Sequence, residues 1–466
     1  MRQLAVTKTS IEGLLMISLE VHQDDRGWFK ENWQRAKMTA LGLPDFGPVQ
    51  QNIAFNARRG VTRGVHGEPW DKLVSVGVGR VFGAWVDLRE GSLNFGQVVT
   101  AEIGPETAVF VPRGVANAYQ VLEDGTAYSY LVNAHWSAAG RGSYTNVNLR
   151  DPALGISWPV PLDQAVLSDS DRSHPFLATV SPVPSRAVVV IGADGQLGQE
   201  LMAQCPRATG LTLGDFDFKD PDGLDGFGWE GVDTVVNAAA YTAVDLAETP
   251  TGRRDCWAVN VSGLSRLVEI CRQHRIRLVH VSSDYVFDGQ KPVHDEDEAF
   301  SPLGVYGQTK AAGDTLVSSL PDYLILRTSW LIGSGPNFVR TMVRLAHDGV
   351  RPDVVVDQDG RPTFAQDLAA AAIHLLTVQA PSGVYNVSNA GPVVSWYEIA
   401  RQVFTLCGLD PDDTRPVTTV DYSAGKPGAA PRPPHSALSL AKLRSVGFDM
   451  PDWSLGLPAI VRQANN

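Results

Sequence analysis

Cysteine is scarce in this chain of 466 residues, and its first part has none. The four cysteines are Cys205, Cys256, Cys271 and Cys407. Their spacings match neither a zinc site nor a disulfide framework. Chains without such a framework are typical of reducing compartments, so the cysteine pattern argues against a small secreted scaffold.

Long apolar runs and a leader pattern are also lacking. No run approaches the roughly 18 residues that a membrane span requires. The N-terminal stretch MRQLAVTKTSIEGLL has no basic region followed by an apolar one, which is the pattern of a signal peptide. The formal net charge of −12 argues against nucleic-acid binding. We therefore expect a cytoplasmic protein with neither a membrane nor a nucleic acid as partner.

The spacing of apolar residues differs between the two parts of the chain. Residues 1–180 show short apolar runs broken by glycine turns, such as KLVSVGVG and TAVFVPRG, and this predicts an all-β sandwich or barrel. The segment 178–187, ATVSPVPSRA, resembles an extended linker. Residues 187–466 then alternate buried strands with amphipathic helices, which predicts a doubly wound parallel sheet. We therefore predict two domains.

A glycine-rich turn opens the second domain. The apolar strand AVVVIG runs into GADGQLG, which contains Gly192, Gly195 and Gly198. Glycines after a buried strand and before a helix let a pyrophosphate approach the backbone at the helix N-terminus. The strand and helix context favours a dinucleotide site over an ordinary turn.

A serine, a tyrosine and a lysine follow in the same domain. Tyr306 and Lys310 in VYGQTK lie four residues apart, so they share one face of a helix. A nearby ammonium favours the phenolate form of tyrosine, and such a tyrosine can exchange a proton with a carbonyl or hydroxyl oxygen. Ser283, at the end of the strand RLVHVSS, could bond to the same oxygen.

These motifs resemble the extended short-chain dehydrogenase/reductases, and more closely the dTDP-4-dehydrorhamnose reductases. The matching stretches include GADGQLGQEL, VSSDYVFDG, SPLGVYGQTK and VVDQDGRPTFAQDLA. The resemblance implies a Rossmann domain with a small substrate-binding subdomain, NADPH or NADH as cofactor, and Ser283, Tyr306 and Lys310 as the catalytic triad. The cofactor-binding residues that it implies are Gly192, Gly195, Gln196, Leu197, Gly198, Asn237, Ala238, Ala239, Tyr241, Tyr306 and Lys310. Trp330 and Asn337 would face the substrate.

Asp215 bears on the choice of cofactor. It lies about 23 residues beyond Gly192, where an acid would bind the ribose 2′-hydroxyl of NAD. A turn aspartate is an equally good interpretation of TLGDFDF, so the preference between NADH and NADPH stays open.

One histidine in the first domain, His66 in TRGVHGEPWDKLV, admits several roles. A cupin-type metal site would need a second histidine, but Gly67 and Glu68 follow His66, and Asn117 stands where a distant histidine could be sought. We therefore expect no metal there. A neutral imidazole can instead take a proton from a carbon beside a ketone, with Lys72 near the enolate.

Residues 1–180 resemble the dTDP-4-dehydrorhamnose 3,5-epimerases, in stretches such as DDRGWFKENW, GVTRGVHGEPWDKLV, FVPRGVANAYQV and LSDSD. The resemblance implies a cupin-like jelly-roll barrel and a homodimer. It implies that His66 is the base, Asp171 its partner, Lys72 the group beside the enolate, and Tyr130 the proton donor on the opposite face. The substrate-binding residues that it implies are Arg26, Glu31, Gln50, Asn52 and Arg63. From the residues alone, LSDSD is typical of a solvated turn.

Three departures from the epimerase pattern keep alternatives open. The segment between His66 and Lys72 is short, Gly83 stands where an aspartate is usual, and Asn117 replaces a usual histidine. The main hypothesis is a bifunctional enzyme that epimerises a dTDP-4-dehydro-6-deoxyhexose and then reduces its C4 ketone. The alternatives are a reductase beside an inactive or single-carbon epimerase barrel, and a non-catalytic regulatory binding protein.

Overall fold

The computed structural model describes residues 3–135, 144–184, 187–229, 231–424 and 428–465. They belong to two compact units, Met1–Ser185 and Arg186–Asn466. Among these residues, no helix combines the length and the apolar character needed to cross a bilayer.

The first unit is built almost entirely from β-strands. Its elements are β1 (Ala5–Lys8), β2 (Leu15–Ser18), β3 (Val21–Asp24), β4 (Gly27–Lys30), α1 (Arg35–Ala40), β5 (Gln50–Asn56), β6 (Thr62–Gly67), β7 (Lys72–Val78), β8 (Val81–Asp87), β9 (Val98–Ile103), β10 (Thr107–Val111), β11 (Val115–Val121), β12 (Thr126–Val132), β13 (Thr145–Asn146) and α2 (Asp169–Ser173). Strands β1-β2-β10-β7-β12-β5 form a six-stranded sheet, and β13-β6-β11-β8-β9 form a five-stranded one.

The two antiparallel sheets share one apolar core. Val74 and Tyr128 come from the larger sheet and Trp85 and Val115 from the smaller one, and all four lie in a single buried cluster. Inward side chains of both sheets therefore interdigitate, as in a jelly-roll sandwich. The predicted all-β, cupin-like fold of this part is confirmed.

The segment predicted as an extended linker begins inside this first unit. Val183 forms a parallel bridge with Arg89, and its side chain is buried in an apolar cluster with Val86 and Leu149. The linker prediction is therefore wrong for residues up to Val183, because an apolar side chain between the prolines docks onto the β-sheet. Residues 185 and 186 lie outside the described part.

The second unit alternates strands and helices. Its elements are β14 (Ala187–Ile191), α3 (Gln196–Gln204), β15 (Thr209–Leu211), β16 (Val232–Asn237), α4 (Pro250–Trp257), α5 (Leu264–His274), β17 (Arg277–Ser283), α6 (Val305–Val317), β18 (Tyr323–Thr328), β19 (Leu331–Ile332), α7 (Phe338–His347), β20 (Asp353–Val355), β21 (Asp359–Gly360), β22 (Thr363–Phe364), α8 (Ala365–Thr377), β23 (Gly383–Asn386), β24 (Val394–Ser395), α9 (Trp396–Leu406), β25 (Arg415–Val417), α10 (Thr419–Ser423), α11 (Ala441–Ser445) and α12 (Trp453–Asn465). A π-helical turn, Ala258–Gly263, joins α4 to α5.

A parallel sheet with the order β15-β14-β16-β17-β18-β23 organises this unit. Val190 of β14 packs into an apolar cluster with α8 residues, whereas Val189 and Ile191 pack into a second cluster with α5 residues. The sheet is therefore covered on both faces, and the predicted doubly wound fold is confirmed. The strand order changes direction between β14 and β16, and ligands bind at such a switch point, beyond the carboxyl ends of the strands.

A smaller subdomain has a core of its own. Apolar side chains of α7, α9 and α12, including Val343, Phe404 and Leu457, form its buried cluster together with Trp453. Trp330, half-buried, packs against it. This subdomain therefore borders the carboxyl edge of the parallel sheet, where β18 ends at Thr328.

Candidate active sites

The imidazole of His66 and the carboxylate of Asp171 form a hydrogen bond across 105 positions of sequence. His66 Nε2 and Asp171 Oδ1 are 2.8 Å apart. The His66 side chain is 37% exposed, whereas that of Asp171 is only 7% exposed. A buried carboxylate thus orients a ring that solvent or a ligand can reach, as a catalytic base requires.

Asp171 is held in the first turn of helix α2. Ser168 caps the helix, and its side chain accepts a hydrogen bond from the Asp171 backbone N–H. Burial raises the pKa of Asp171, but the hydrogen bond and charge of His66, the Ser168 hydrogen bond and the His174 charge together hold the pKa below its usual value. The carboxylate therefore stays ionised beside the ring. The interpretation of LSDSD as a solvated turn is wrong.

Lys72 is a buried lysine at the start of β7. Burial lowers its pKa to about 7, and its Nζ contacts Glu68 Oε2. The same Nζ lies 5.9 Å from the centre of the Tyr130 ring. Burial raises the pKa of Tyr130, with Arg63 opposing the rise, so the phenol keeps its proton at neutral pH. An ammonium and a phenol that can donate protons therefore lie close together.

Polar side chains of β5 and β6 surround Tyr130. Asn52 faces Tyr130 across the β5–β12 pairing, and Gln50 Nε2 donates a hydrogen bond of 3.0 Å to Asn52 Oδ1. Arg63 Nε donates to Asn56 Oδ1 over 3.3 Å. Amide and guanidinium groups suited to phosphate or sugar hydroxyls are therefore gathered near the predicted proton donor.

Arg26 and Glu31 have other partners within the chain. Arg26 lies in the β3–β4 hairpin, where it pairs with Asp24 and its side chain is 90% exposed. Glu31 accepts a hydrogen bond of 2.6 Å from Lys37 Nζ. Neither contact joins these two residues to the group around His66, so their substrate-binding role stays a prediction.

The departures at Gly83 and Asn117 have structural explanations. A Cβ at Gly83 would lie 2.5 Å from the Trp85 indole, so this ring fills the space of a larger side chain. Asn117 pairs with His66 in the strand register, and its Oδ1 accepts a hydrogen bond of 3.1 Å from the Tyr128 hydroxyl. Gly83 therefore leaves room for a core tryptophan, and Asn117 lies beside His66 in the smaller sheet.

His174 was missed by sequence analysis. Its ring centre lies 5.6 Å from that of His66, with an interplanar angle of 76°. Burial, followed by the nearby His66, lowers the pKa of His174. The spacing Asp171-x-x-His174 was the available signal.

The second site begins at the glycine turn after β14. Gly192 has a φ of +79°, and a Cβ there would lie 2.9 Å from the Ala239 backbone N. A Cβ at Gly198 would lie 1.9 Å from the Gly192 carbonyl oxygen. Gly195 caps α3 without a side-chain hydrogen bond, which leaves the first N–H groups of the helix for an anion. This cradle fits a dinucleotide pyrophosphate.

Three residues near the glycine turn make different contacts. Leu197 is buried in the core against the sheet, so only its backbone can face a cofactor. Gln196 Oε1 accepts a 3.0 Å hydrogen bond from Gly333 N. Asn337 caps α7 by accepting from Arg340 N and donates to the carbonyls of Gly333 and Gly335 over 2.9 Å each. Asn337 thus orders the loop beside the glycine turn.

Ser283 and Tyr306 meet at the carboxyl end of β17. Ser283 Oγ donates to Asp284 Oδ1 over 2.9 Å. Tyr306 lies in the first turn of α6, and its ring contacts Tyr285 edge-on at 5.5 Å. Burial, and then the Asp284 charge, raise the pKa of Tyr306, while a hydrogen bond with Ser283 opposes the rise. The phenol is therefore held protonated beside a serine hydroxyl, and the expectation that a nearby ammonium favours its phenolate form is wrong, because burial is the larger effect.

Lys310 lies one helical turn beyond Tyr306 and is buried. Burial lowers its pKa to about 8, and Asp314 and Cys256 oppose this change. Lys310 Nζ donates to the Val281 carbonyl over 2.7 Å and lies 3.3 Å from His280 Nε2. His280, also missed by sequence analysis, is buried, and burial followed by Lys310 lowers its pKa strongly.

Backbone and amide groups connect His280 to the glycine turn. Asn237 Nδ2 lies 3.2 Å from His280 Nδ1, and the Ala239 N–H donates to Asn237 Oδ1 over 3.2 Å. Ala238 N donates to the Ile191 carbonyl. These contacts bring the ends of β14, β16 and β17 together, where the sequence predicted a cofactor.

Tyr241, Asp215 and Trp330 complete the set predicted from sequence. Asn260 Oδ1 accepts a hydrogen bond of 2.8 Å from the Tyr241 backbone N–H, and the Tyr241 side chain packs against the same buried cluster as Tyr306. Asp215 accepts from the N–H and hydroxyl of Thr212, as a turn aspartate does. Trp330 stacks on Trp396 with ring centres 3.8 Å apart.

The two sites define a class of protein: a histidine–aspartate site in a β-barrel joined to a tyrosine–lysine site in a Rossmann-type domain. Comparison with known families agrees with each half. Residues 186–466 match the model described as RmlD substrate binding domain, and residues 8–179 match the model described as dTDP-4-dehydrorhamnose 3,5-epimerase. The chain belongs to both families, one in each half.

Individual relatives divide in the same way. A protein RmlC homolog of Streptococcus pyogenes is 48% identical over 178 residues, which cover 37% of this chain and 89% of the relative. A dTDP-4-dehydrorhamnose reductase of Mycobacterium tuberculosis is 40% identical over 268 residues, which cover 55% and 85% respectively. The crystal structure of a Bacillus anthracis dTDP-4-dehydrorhamnose reductase in complex with NADP matches with a TM-score of 0.55 and 32% identity, over 60% of this chain and 99% of that one.

Proposed function

We propose that this chain converts dTDP-4-dehydro-6-deoxy-D-glucose to dTDP-L-rhamnose in two steps. The first half would epimerise C3 and C5, and the second would reduce the C4 ketone with NADPH or NADH. Membership of both families supports this proposal. The observation that carries it is the occurrence in one chain of the 2.8 Å His66–Asp171 pair and of Ser283, Tyr306 and Lys310 at the end of β17 and the start of α6.

In the barrel, His66 is the base. The C4 ketone acidifies the protons on C3 and C5, and the imidazole takes one of them while Asp171 stabilises the imidazolium. Charge then develops on the ketone oxygen, where the buried Lys72 ammonium is worth more than it would be in water. Tyr130, kept protonated by its raised pKa, returns a proton to the opposite face of the sugar.

In the Rossmann-type domain, Tyr306 gives a proton to the ketone oxygen. Ser283 hydrogen-bonds to the same oxygen, and Lys310 supplies positive charge near the phenol as its proton leaves. A bound nicotinamide cofactor would supply the hydride, held by the turn at Gly192, Gly195 and Gly198. The raised pKa of Tyr306 suits this direction, since reduction consumes a proton.

The chemistry fixes the order of the two steps. Reduction removes the ketone that acidifies C3 and C5, so epimerisation has to come first. The epimerised ketone is then the substrate of the reductase, and joining the two enzymes on one chain raises its concentration near the second site.

Product analysis tests this proposal. The full chain is incubated with dTDP-4-dehydro-6-deoxy-D-glucose and NADPH, and the sugar nucleotide formed is examined by NMR. We expect a product with the rhamno configuration and one NADPH consumed per sugar. A product that keeps the C3 or C5 configuration of the substrate contradicts double epimerisation, and unused NADPH contradicts reduction.

Epimerisation at a single carbon is the second candidate. The Trp85 ring against Gly83 and the Asn117–Tyr128 hydrogen bond occupy positions where the epimerase pattern has other groups. If they change how the sugar turns between the two proton transfers, only one centre is inverted. The same NMR analysis distinguishes the two outcomes, because each inverted carbon has its own coupling pattern.

We also propose that the chain is a cytoplasmic homodimer. Its four cysteines are free thiols, as expected in a reducing compartment. Strand β5 lies at the edge of the larger sheet and exposes Ile53 and Phe55, at 69% and 68%. Light scattering of the purified protein should give twice the chain mass, and a single chain mass contradicts the dimer.

A further inference from the structure

Three potential metal ligands lie together beside the barrel site. They are His66 in β6, Asp171 in α2 and His174 directly after α2. One ligand atom from each lies within 4.8 Å of the other two. Among the described residues, this is the one group of three histidine, cysteine or carboxylate side chains with such a spacing.

Two imidazoles and one carboxylate suit divalent transition metals, with remaining positions open to water or substrate. The carboxylate and the second histidine are three positions apart, Asp171 and His174, a spacing also used by metal-binding carboxylate–histidine motifs. This set differs from the one sought by sequence, which looked for ligands at Gly67, Glu68 and Asn117.

A second observation points to a ligand. The Nδ1 atom of His174 is buried and has no hydrogen-bond partner within the described part of the chain, although buried polar atoms are nearly always paired. The other ring nitrogen lies 3.4 Å from Ser170 Oγ. The unpaired nitrogen belongs to a ring whose centre is 5.6 Å from that of His66, so it is available to a metal at this group, and the partly exposed His66 gives the metal access.

The three ligand atoms need to move by a small distance to bind a metal ion. A zinc ion about 2.0 Å from each ligand atom holds these atoms roughly 3.3 Å apart. His66 Nε2 and Asp171 Oδ1 are now 2.8 Å apart, so they need to open by about 0.5 Å. His174 lies at the end of a five-residue helix, where a change of rotamer can bring its ring closer.

We propose that His66, Asp171 and His174 bind one divalent transition metal ion, best matched by Zn²⁺, and that the bound ion switches off the epimerase half alone. The loss of activity rests on the proposed function of His66. A neutral imidazole has one lone pair, and coordination uses it. The other ring nitrogen then carries the proton, so the ring cannot take a proton from the sugar, while Tyr306 and Lys310 are unaffected.

Titration of the metal-free full chain with Zn²⁺ tests this inference. Epimerisation is measured as deuterium uptake at C3 and C5 without NADPH, and reduction as NADPH oxidation with the epimerised ketone. We expect one Zn²⁺ per chain, a loss of deuterium uptake of at least about 10-fold, unchanged reduction, and recovery with a chelator. Co²⁺ in place of Zn²⁺ should give visible absorption bands of a protein-ligated ion.

Two variants sharpen the test. His174→Phe keeps a ring of similar volume without a ligand atom, so metal affinity should fall by about 10–100-fold and the cobalt bands should disappear. His22→Phe is the matched control, because His22 also lies near a carboxylate, with Nε2 3.8 Å from Glu20 Oε2, but no third ligand is grouped with this pair. It should bind metal as the unaltered protein does.

Several outcomes would overturn the inference: absence of metal binding, equal affinity and equal cobalt spectra for His174→Phe and the unaltered protein, or equal inhibition of both activities. Its failure is distinguishable from failure of the proposed function. If the metal-free protein takes up no deuterium, the epimerase proposal is wrong, but the cobalt spectra still decide whether the site exists.

Discussion

The barrel and the Rossmann-type domain each place a buried lysine beside a tyrosine, yet the two pairs work differently. In the barrel, Lys72 contacts Glu68 and lies 5.9 Å from the Tyr130 ring, with His66 and Asp171 as a separate base. In the second domain, Lys310 and Tyr306 share one helix, and the neighbour of Tyr306 is the hydroxyl of Ser283 rather than a histidine–aspartate pair.

This difference reflects where the proton goes. Epimerisation moves a proton from carbon to carbon through an enolate, so it needs a base on one face of the sugar and an acid on the other. Reduction moves one proton to an oxygen, which a phenol does alone while hydride arrives from elsewhere. A lysine beside a phenol therefore serves two chemistries, and the added His66–Asp171 pair distinguishes them.

The largest expected effect comes from His66→Asn. Loss of the base should reduce deuterium uptake at C3 and C5 by about 10³–10⁴-fold, measured by NMR without NADPH. Reduction of the epimerised ketone by the same variant should be unchanged. His22→Asn, which alters an exposed histidine of the same half, is the control. Equal loss of both activities would contradict the separation of the two sites.

Tyr306→Phe is the reciprocal change. Without the phenolic proton, NADPH oxidation with the epimerised ketone should slow by about 10²–10³-fold, while deuterium uptake at C3 and C5 continues. Tyr285→Phe is the matched control, since Tyr285 contacts the same ring edge-on and should keep most of the reductase activity. If Tyr306→Phe oxidises NADPH at the normal rate, Tyr306 is not the proton donor of the reduction.

Gly198→Ala should weaken the binding of the cofactor and leave the epimerase activity of the barrel unchanged. Its Cβ would lie 1.9 Å from the Gly192 carbonyl oxygen, whereas a Cβ at Gly195 would have only one close contact, at 3.3 Å to the same atom. We expect the KM for NADPH to rise at least about 10-fold in Gly198→Ala and much less in Gly195→Ala. An unchanged KM for NADPH in Gly198→Ala, or an equal rise in both variants, would contradict this account of the turn.

The smallest effect is a difference in pH dependence. Burial lowers the pKa of Lys72 to about 7 and of Lys310 to about 8. Each ammonium loses its proton as pH rises through its pKa, so both activities should fall on the alkaline side, deuterium uptake first and reduction about one pH unit later. In Lys72→Met, deuterium uptake should no longer fall as the pH rises. Reduction by the same variant should still fall at alkaline pH. Coincident profiles in the unaltered protein would contradict this assignment.

Local patterns predicted the elements that carry the second candidate site. The strand and glycine turn before α3, and the spacing of Tyr306 and Lys310 on α6, depend on residues close in sequence, so periodicity was sufficient to predict them. The barrel site was harder, because His66 and Asp171 are 105 positions apart and only resemblance to a family paired them. Asp171 lies in helix α2, which packs against strand β6 of His66, and no local sequence signal predicts a contact between elements so far apart in the chain.

Other features depended on packing that no pattern expresses. Asp171 is buried in the first turn of α2, which Ser168 caps, and a polar stretch such as LSDSD does not distinguish this helix from a surface turn. Val183 docks into the barrel although prolines flank it. The contact of His280 with Asn237 depends on the parallel register of β16 and β17, and its contact with Lys310 depends on the packing of α6 against β17, neither of which the sequence of one strand contains.

Deuterium counting tests the link between the two halves most directly. The full chain, dTDP-4-dehydro-6-deoxy-D-glucose and NADPH are combined in D₂O, and the reduced product is analysed by NMR and mass spectrometry. We predict a rhamno product with solvent deuterium at both C3 and C5 and none at C4, where hydrogen arrives from NADPH. A reduced product with no deuterium at either carbon would contradict the account, because the ketone would then have been reduced without prior proton exchange in the barrel.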